Sequence, residues 1–250
     1  MRCRSWLTLF TLAGSLLLFL PHTQAQAGTV TFYANGEELA TEGFTSPELT
    51  KDGWTLRFEH IYVTLAAVSA YQTDPPFDPH RDDEITAARQ VSLPGPFTLD
   101  LTGDAAPRVL IGAIDTAPPG HYNALSWRLL KADSGPAAGY SMMLTGTAGK
   151  DGRTRPFVLY SAEESTYRCG EYIGDERKGF LPADDGSTDL ELTFHLDHIF
   201  GRADRPAEDP MNLSAHGFDP FADNKIGATM RLRGLHIGHT GEGHCRVEWH

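Results

Sequence analysis

Apolar and polar residues alternate along much of this chain. Thr29-Val30-Thr31-Phe32-Tyr33 alternates directly. Trp54, Leu56 and Phe58 share one face of a second run, with Thr55, Arg57 and Glu59 on the other. The apolar phase then shifts to Ile61, Val63 and Leu65. A phase shift inside one extended run predicts a β-bulge near Glu59 and His60. Phe97-Thr98-Leu99-Asp100-Leu101 alternates again, as do Leu125, Trp127 and Leu129. Residues 140–147 and 156–160 read as further strands. The clearest run sets Leu190, Leu192, Phe194 and Leu196 against Glu191, Thr193, His195 and Asp197. Met230 and Leu232 are expected to open a last long strand.

Helical periodicity is scarce. Residues 83–90 could form two turns from an acidic end, and residues 199–205 and 218–226 single turns. Gly, Pro and Asp clusters punctuate the strands at short spacing. The pattern predicts an all-β fold: an antiparallel β-sandwich, one domain over residues 28–250, with long loops and few short helices. Two loops stand out. Asp74-Pro75-Pro76-Phe77-Asp78-Pro79-His80 is proline-rich. Residues 201–225 form a long excursion with the apolar anchors Met211, Leu213, Phe218 and Phe221.

The first residues have a different pattern. Arg2 and Arg4 precede an apolar stretch from Trp6 to Leu20, Pro21 breaks it, and Ala25-Gln26-Ala27 forms a small-residue cleavage site. This is the three-part form of a signal peptide over residues 1–27, too short and wrongly flanked for a membrane span. The expected location is the periplasm or the medium. The remainder carries 19 basic and 33 acidic residues, a formal charge of −14. Nucleic acid is excluded as a partner, since it requires basic patches. No later apolar run is long enough for a membrane helix.

Beyond the leader the cysteines are Cys169 and Cys245. An oxidising compartment favours a disulfide between them; paired thiolate ligands for Zn or Cu(I) are the alternative. Either way the two positions should be close in space. The sequence has no Gly-x-Ser-x-Gly elbow, Cys-x-x-Cys, phosphate loop or haem-attachment motif.

Histidines carry the candidate chemistry. Seven of the ten beyond the leader lie between His195 and His250. His195-Leu196-Asp197-His198 sits at the end of the clearest strand run. Residues three apart on a strand face opposite ways, so His195 and His198 can share a metal only if the strand ends near Asp197 and turns. Asp197 could be a ligand or orient a ring. The second cluster is His236-Ile237-Gly238-His239-Thr240-Gly241-Glu242-Gly243-His244-Cys245, whose glycines permit His239, Glu242 and His244 to converge. Imidazoles with carboxylates suit Cu or Zn, with Fe, Mn or Ni possible, far better than Ca or Mg. His60 at the suspected bulge and His216 in the excursion are further candidate ligands. His80, His121, His236 and His250 are set aside. The competing reading is a solvated loop with incidental histidines. Asp184-Asp185-Gly186-Ser187-Thr188-Asp189 lacks the full calcium-loop series and reads as a turn.

Residues 54–69, Phe97-Thr98-Leu99-Asp100-Leu101 and Ala117-Pro118-Pro119-Gly120-His121-Tyr122 resemble exported bacterial β-sandwich proteins. The nearest named group is the MbnP-like, copper-associated periplasmic proteins; a related pattern occurs in lipoprotein sandwiches. The resemblance covers about the first half and rests on strand spacing and a Pro-Gly-x-Tyr turn. It implies fold, export and an association with metal. The group's metal residues do not map one by one onto this chain. Three functions follow as expectations: a periplasmic protein that captures, stores or delivers Cu or Zn, working with a periplasmic or outer-membrane metal transport partner; a non-catalytic exported adhesion module; and a metal-dependent enzyme using Glu171, Glu191 or Asp197.

Overall fold

The computed structural model describes residues 27–103, 108–183, 186–223 and 227–250. The expected leader at residues 1–27 falls outside them but for Ala27, as do Asp184 and Asp185 of the acidic turn. In chain order the strands are β1 (Gly28–Asn35), β2 (Thr55–Gln72), β3 (Arg89–Leu93), β4 (Phe97–Asp100), β5 (Arg108–Ala117), β6 (Gly120–His121), β7 (Ala124–Leu129), β8 (Met142–Lys150), β9 (Arg153–Ser161), β10 (Ser165–Cys169), β11 (Phe180–Leu181), β12 (Ser187–Phe194), β13 (Ala228–Thr229), β14 (Gly238–His239) and β15 (Cys245–Trp249). Helices are short: α1 (Glu37–Thr41), α2 (Asp197–Phe200), α3 (Pro210–Ser214) and two 3₁₀ turns, Pro47–Leu49 and Asp219–Phe221. The fold is all-β with few helices, as the alternation requires.

Two sheets share one core. The smaller has the order β14-β12-β1-β5; the larger runs β13-β9-β8-β2-β7-β10-β15, with β3 and β4 also paired to β2. Val30, Phe32, Leu190, Leu192 and Phe194 from the first join Leu56, Ile61, Val63, Leu125 and Trp127 from the second in one buried cluster. Each is the inward half of an alternating strand, so the period of two that defines the strands also builds the core. β2 reaches 18 residues by changing neighbours. Its first half pairs with β8 and its second with β7, and the register shifts between Phe58 and His60, where the bulge was expected. Most pairings are antiparallel. Two are parallel, β1 with β12 and β13 with β9.

Two expected elements are absent. Residues 83–90 form no helix. Arg89 and Gln90 instead pair with Gln72 and Tyr71 of β2, while Asp83 and Glu84 reach Arg246 and Arg168 across the surface. Sheet pairing overrides a weak local helix preference here. Met230 and Leu232 are buried but open no long strand. The Glu163 carboxylate accepts the Leu232 and Arg233 amides at 2.6 and 2.8 Å, taking the place of a strand neighbour. The last long strand is β15.

Cys169 and Cys245 form a disulfide across the directly opposed pair of β10 and β15, with Cα atoms 4.0 Å apart. The thiolate alternative falls with it. Next to this link Gly238 lies against the stacked rings of Trp127 and Tyr167. A Cβ there would come within 2.6 Å of Tyr167, so only glycine lets β14 approach the core. The disulfide closes a loop with a sequence separation of 76. Replacing both cysteines with serine is expected to lower stability by about 4 kcal/mol in denaturant titrations.

Candidate metal centre

Because β1 and β12 run parallel, their C-terminal ends lie at the same edge of the sheet. The register sets Asn35 opposite Thr193, so two residues further on Glu37 and His195 leave the sheet side by side. Beyond β1 the chain turns into α1; beyond β12 it passes through His195 and Leu196 into α2. On the other side of β12, β14 runs antiparallel with His239 opposite Thr193. The His195 amide donates to the Ile237 carbonyl at 2.9 Å. Three segments distant in sequence thus deliver Glu37, His195, His198 and His239 to one corner. α2 supplies the turn that the His-x-x-His spacing needs.

Glu37 is held in an unusual conformation. Its φ is +57°, a left-handed backbone that non-glycine residues rarely adopt. Asn35 supports it: the side-chain oxygen accepts the Glu37 amide at 2.6 Å, and the side-chain amide donates to Glu191 at 3.0 Å. Glu191 is buried, with Arg108 at 3.6 Å and Lys178 at 3.9 Å. Strain retained by surrounding contacts is a mark of functional positions.

The imidazoles form a continuous group. Ring centres are 4.5 Å apart for His195 and His239, 5.2 Å for His198 and His239, 5.5 Å for His195 and His198, and 5.5 Å for His239 and His244. With metal–nitrogen bonds of about 2.0–2.1 Å, two imidazoles on one tetrahedral ion have ring centres about 5 Å apart. The observed spacings bracket that value. Ligand atoms of Glu37, His195 and Glu242 all lie within 4.8 Å of one another, a group that could hold a metal ion. These side chains, with His198, His239 and His244, line a cleft of about 780 Å³. Glu242 is presented by a tight turn in which its amide donates to the Ile173 carbonyl at 2.8 Å. The turn depends on Gly241, whose φ is +60° and where a Cβ would strike the Ile173 carbonyl.

The rings differ in protonation. Burial opposes charge on His195, but the Glu37 carboxylate at 3.2 Å from Nδ1, the Gly241 carbonyl at 3.1 Å from Nε2 and nearby Asp197 outweigh it and raise the pKa to about 8. His239 goes the other way. Burial, reinforced by the charge of His195, lowers its pKa to about 3, against a weaker pull from the His236 carbonyl. Its Nε2 faces that carbonyl at 2.7 Å and must donate, since a carbonyl only accepts. Nδ1 then carries a lone pair, and it is buried without a partner. Burial also lowers the pKa of His198. One Asp197 oxygen is likewise buried and unpartnered at the cleft.

Of the residues expected from sequence, His195, His198, His239, Glu242 and His244 come together. His60 and His216 do not. His60 sits on the bulge, half exposed, its Nδ1 2.6 Å from Asp100 and its ring stacked on Tyr62. The pairing of β4 with β2 supplies that carboxylate and turns the ring away from the cleft. His216 is 2.6 Å from the Arg231 carbonyl and lies edge-on to Phe221. His236 is exposed, and its carbonyl, not its ring, contacts the group. Glu171 lines a separate cleft with His244, outside the candidate site, and pairs with His121 and Arg177. Glu37 escaped the sequence reading. Its only local signal is an acidic pair directly after Asn35-Gly36 at a strand end. No family model, no curated protein and no solved structure matches the chain.

His195 and His239, the histidines with large shifts, act in opposite directions on the pH dependence of the metal-free protein. His195 has a folded pKa of about 8 against an ordinary 6.5, so its stabilisation is complete below pH 6.5 and is lost as pH rises through about 8. His239 has a folded pKa of about 3, so its contribution is present above pH 6.5 and is lost as pH falls. Melts in chelator at pH 5, 6.5 and 8 are expected to give the highest midpoint at about pH 6.5, and His239→Ala should flatten the acid side.

Proposed function

We propose that this is an exported transition-metal-binding protein that captures, stores or hands over copper or zinc through the cleft at the ends of β1 and β12. One observation carries the reading: the buried lone pair of His239 Nδ1 has no protein partner, and its ring centre lies 4.5 Å from that of His195, which with Glu37 and Glu242 forms a group at ligand spacing. A buried acceptor left unsatisfied is destabilising, by about 1–3 kcal/mol, unless something fills it. A metal ion does so. In the metal-free chain His195 shares a proton with Glu37, and an ion held by Glu37, His195 and Glu242 would compete with that proton. Metal uptake displaces this proton, so affinity should rise with pH.

The donor set favours copper or zinc, admits iron, manganese or nickel, and disfavours calcium and magnesium, which require oxygen ligands. Export is supported by the leader pattern and by the disulfide, a bond rare in reducing compartments. The likeness of the first half to MbnP-like proteins supports copper. Among the described residues no helix is long and apolar enough to cross a membrane. A periplasmic or outer-membrane metal transporter is the natural partner of such a carrier. An enzymatic role has less support, because Glu171 and Glu191, candidates for acid–base work, are engaged by cationic side chains.

Protein purified from its own host should contain near-stoichiometric copper or zinc by elemental analysis. A chelator should lower its melting temperature, since a ligand that binds only the folded state stabilises it. Glu37→Gln and His195→Ala should each weaken metal binding by at least about 100-fold, and Asn35→Ala, which removes only an orienting contact, by about 10- to 100-fold. No retained metal and a chelator-insensitive melt would favour the adhesion-module reading instead.

A further inference from the structure

His80 was set aside on sequence grounds, yet its ring lies beside that of His244, which also neighbours His239. The two ring centres are 5.2 Å apart, again the spacing of about 5 Å for two imidazoles on one tetrahedral ion. We propose that His80 and His244 form a second, outer transition-metal site that adjoins the inner one through His239. This deepens the metal-binding reading above, but its geometry stands on residues outside the Glu37–His195–Glu242 group.

Three observations support it. First, the rings are free. Among the described residues neither the His80 nor the His244 ring has a protein hydrogen bond. By contrast the rings of His60, His195, His216, His239 and His250 each have one. Both His80 and His244 are exposed, so their lone pairs are open to an incoming ion. Second, both backbones are fixed. The His80 amide donates to Asp78 at 2.9 Å, the Asp78 amide to Asp82 at 2.9 Å, and neighbouring Phe77 is buried in the same loop. His244 is one residue from the cross-strand disulfide at Cys245. Two segments 164 residues apart in sequence are therefore held with their imidazoles facing. Third, the pair lies where clefts meet. Clefts of about 740 and 550 Å³ both contain His80 and His244, and His244 also lines the inner cleft.

Local charge does not oppose a cation. Arg81 pairs with Asp78, Arg246 with Asp83, and Arg168 with both Glu84 and Glu248. The chain as a whole has a net charge of −12, which concentrates cations at its surface. Two imidazoles completed by water select Zn(II), Cu(II) or Ni(II) over hard cations, and with fewer protein donors they bind more weakly than the inner group.

The test is a Zn(II) titration of the mature protein in competition with a chromophoric chelator, with far-UV circular dichroism as the check on folding. Wild type is expected to take up two equivalents, one tight and one weaker. His80→Ala, at an exposed position, should lose the weaker equivalent and keep the tight one. Glu37→Gln should do the reverse. Retention of both equivalents by His80→Ala, or uptake of only one by wild type with no effect of His80→Ala, overturns the outer site. If His80→Ala loses all binding while Glu37→Gln loses none, the outer site stands and the inner reading falls.

Discussion

The parallel pairing of β1 with β12 is the constraint on which the functional corner depends. In an antiparallel pair the chain following one strand leaves from the opposite end to the chain following its neighbour. In the parallel pair both leave at the same edge, and the register of Asn35 with Thr193 places Glu37 beside His195. Slipping β12 by one residue against β1 would turn Leu190, Leu192 and Phe194 out of the core. The position of the candidate ligands is thus secured by burial of side chains that take no part in the chemistry.

The site stores unfavourable features that the sheets can support. Glu37 has a left-handed backbone, one nitrogen of His239 is buried and unpaired, and one oxygen of Asp197 is likewise unpaired. Each would be removed by a fold optimised for stability alone. They border the cleft where Glu37, His195 and Glu242 form a group that could hold a metal ion. The contrast between His195, held charged by Glu37, and His239, held neutral by burial, shows how adjacent imidazoles acquire different roles from their surroundings.

Much of this was legible locally. The bulge at His60 showed as a break in apolar phase, and the turn after β12 was required by the His195–His198 spacing. The Gly-spaced turn could be read as a device for presenting Glu242 and His244. What was not legible depended on contacts between distant segments. His60 was drawn to Asp100 because β4 pairs with that part of β2. His216 was drawn to a backbone carbonyl. His80 reached His244 only because the loop after β2 packs near β10 and the disulfide.

The sequence by itself determined the all-β class, several of the central strands with their core faces, the two cysteines that pair and the histidine-rich segments, because these follow from side-chain period, composition and redox chemistry within short windows. The tertiary structure alone decided that β1 and β12 run parallel, that Glu37 joins the site from the far end of the chain, and that His60 and His216 stay outside it. Strand direction and neighbour choice are settled by how the two sheets bury their common core, and no local pattern of residues encodes that.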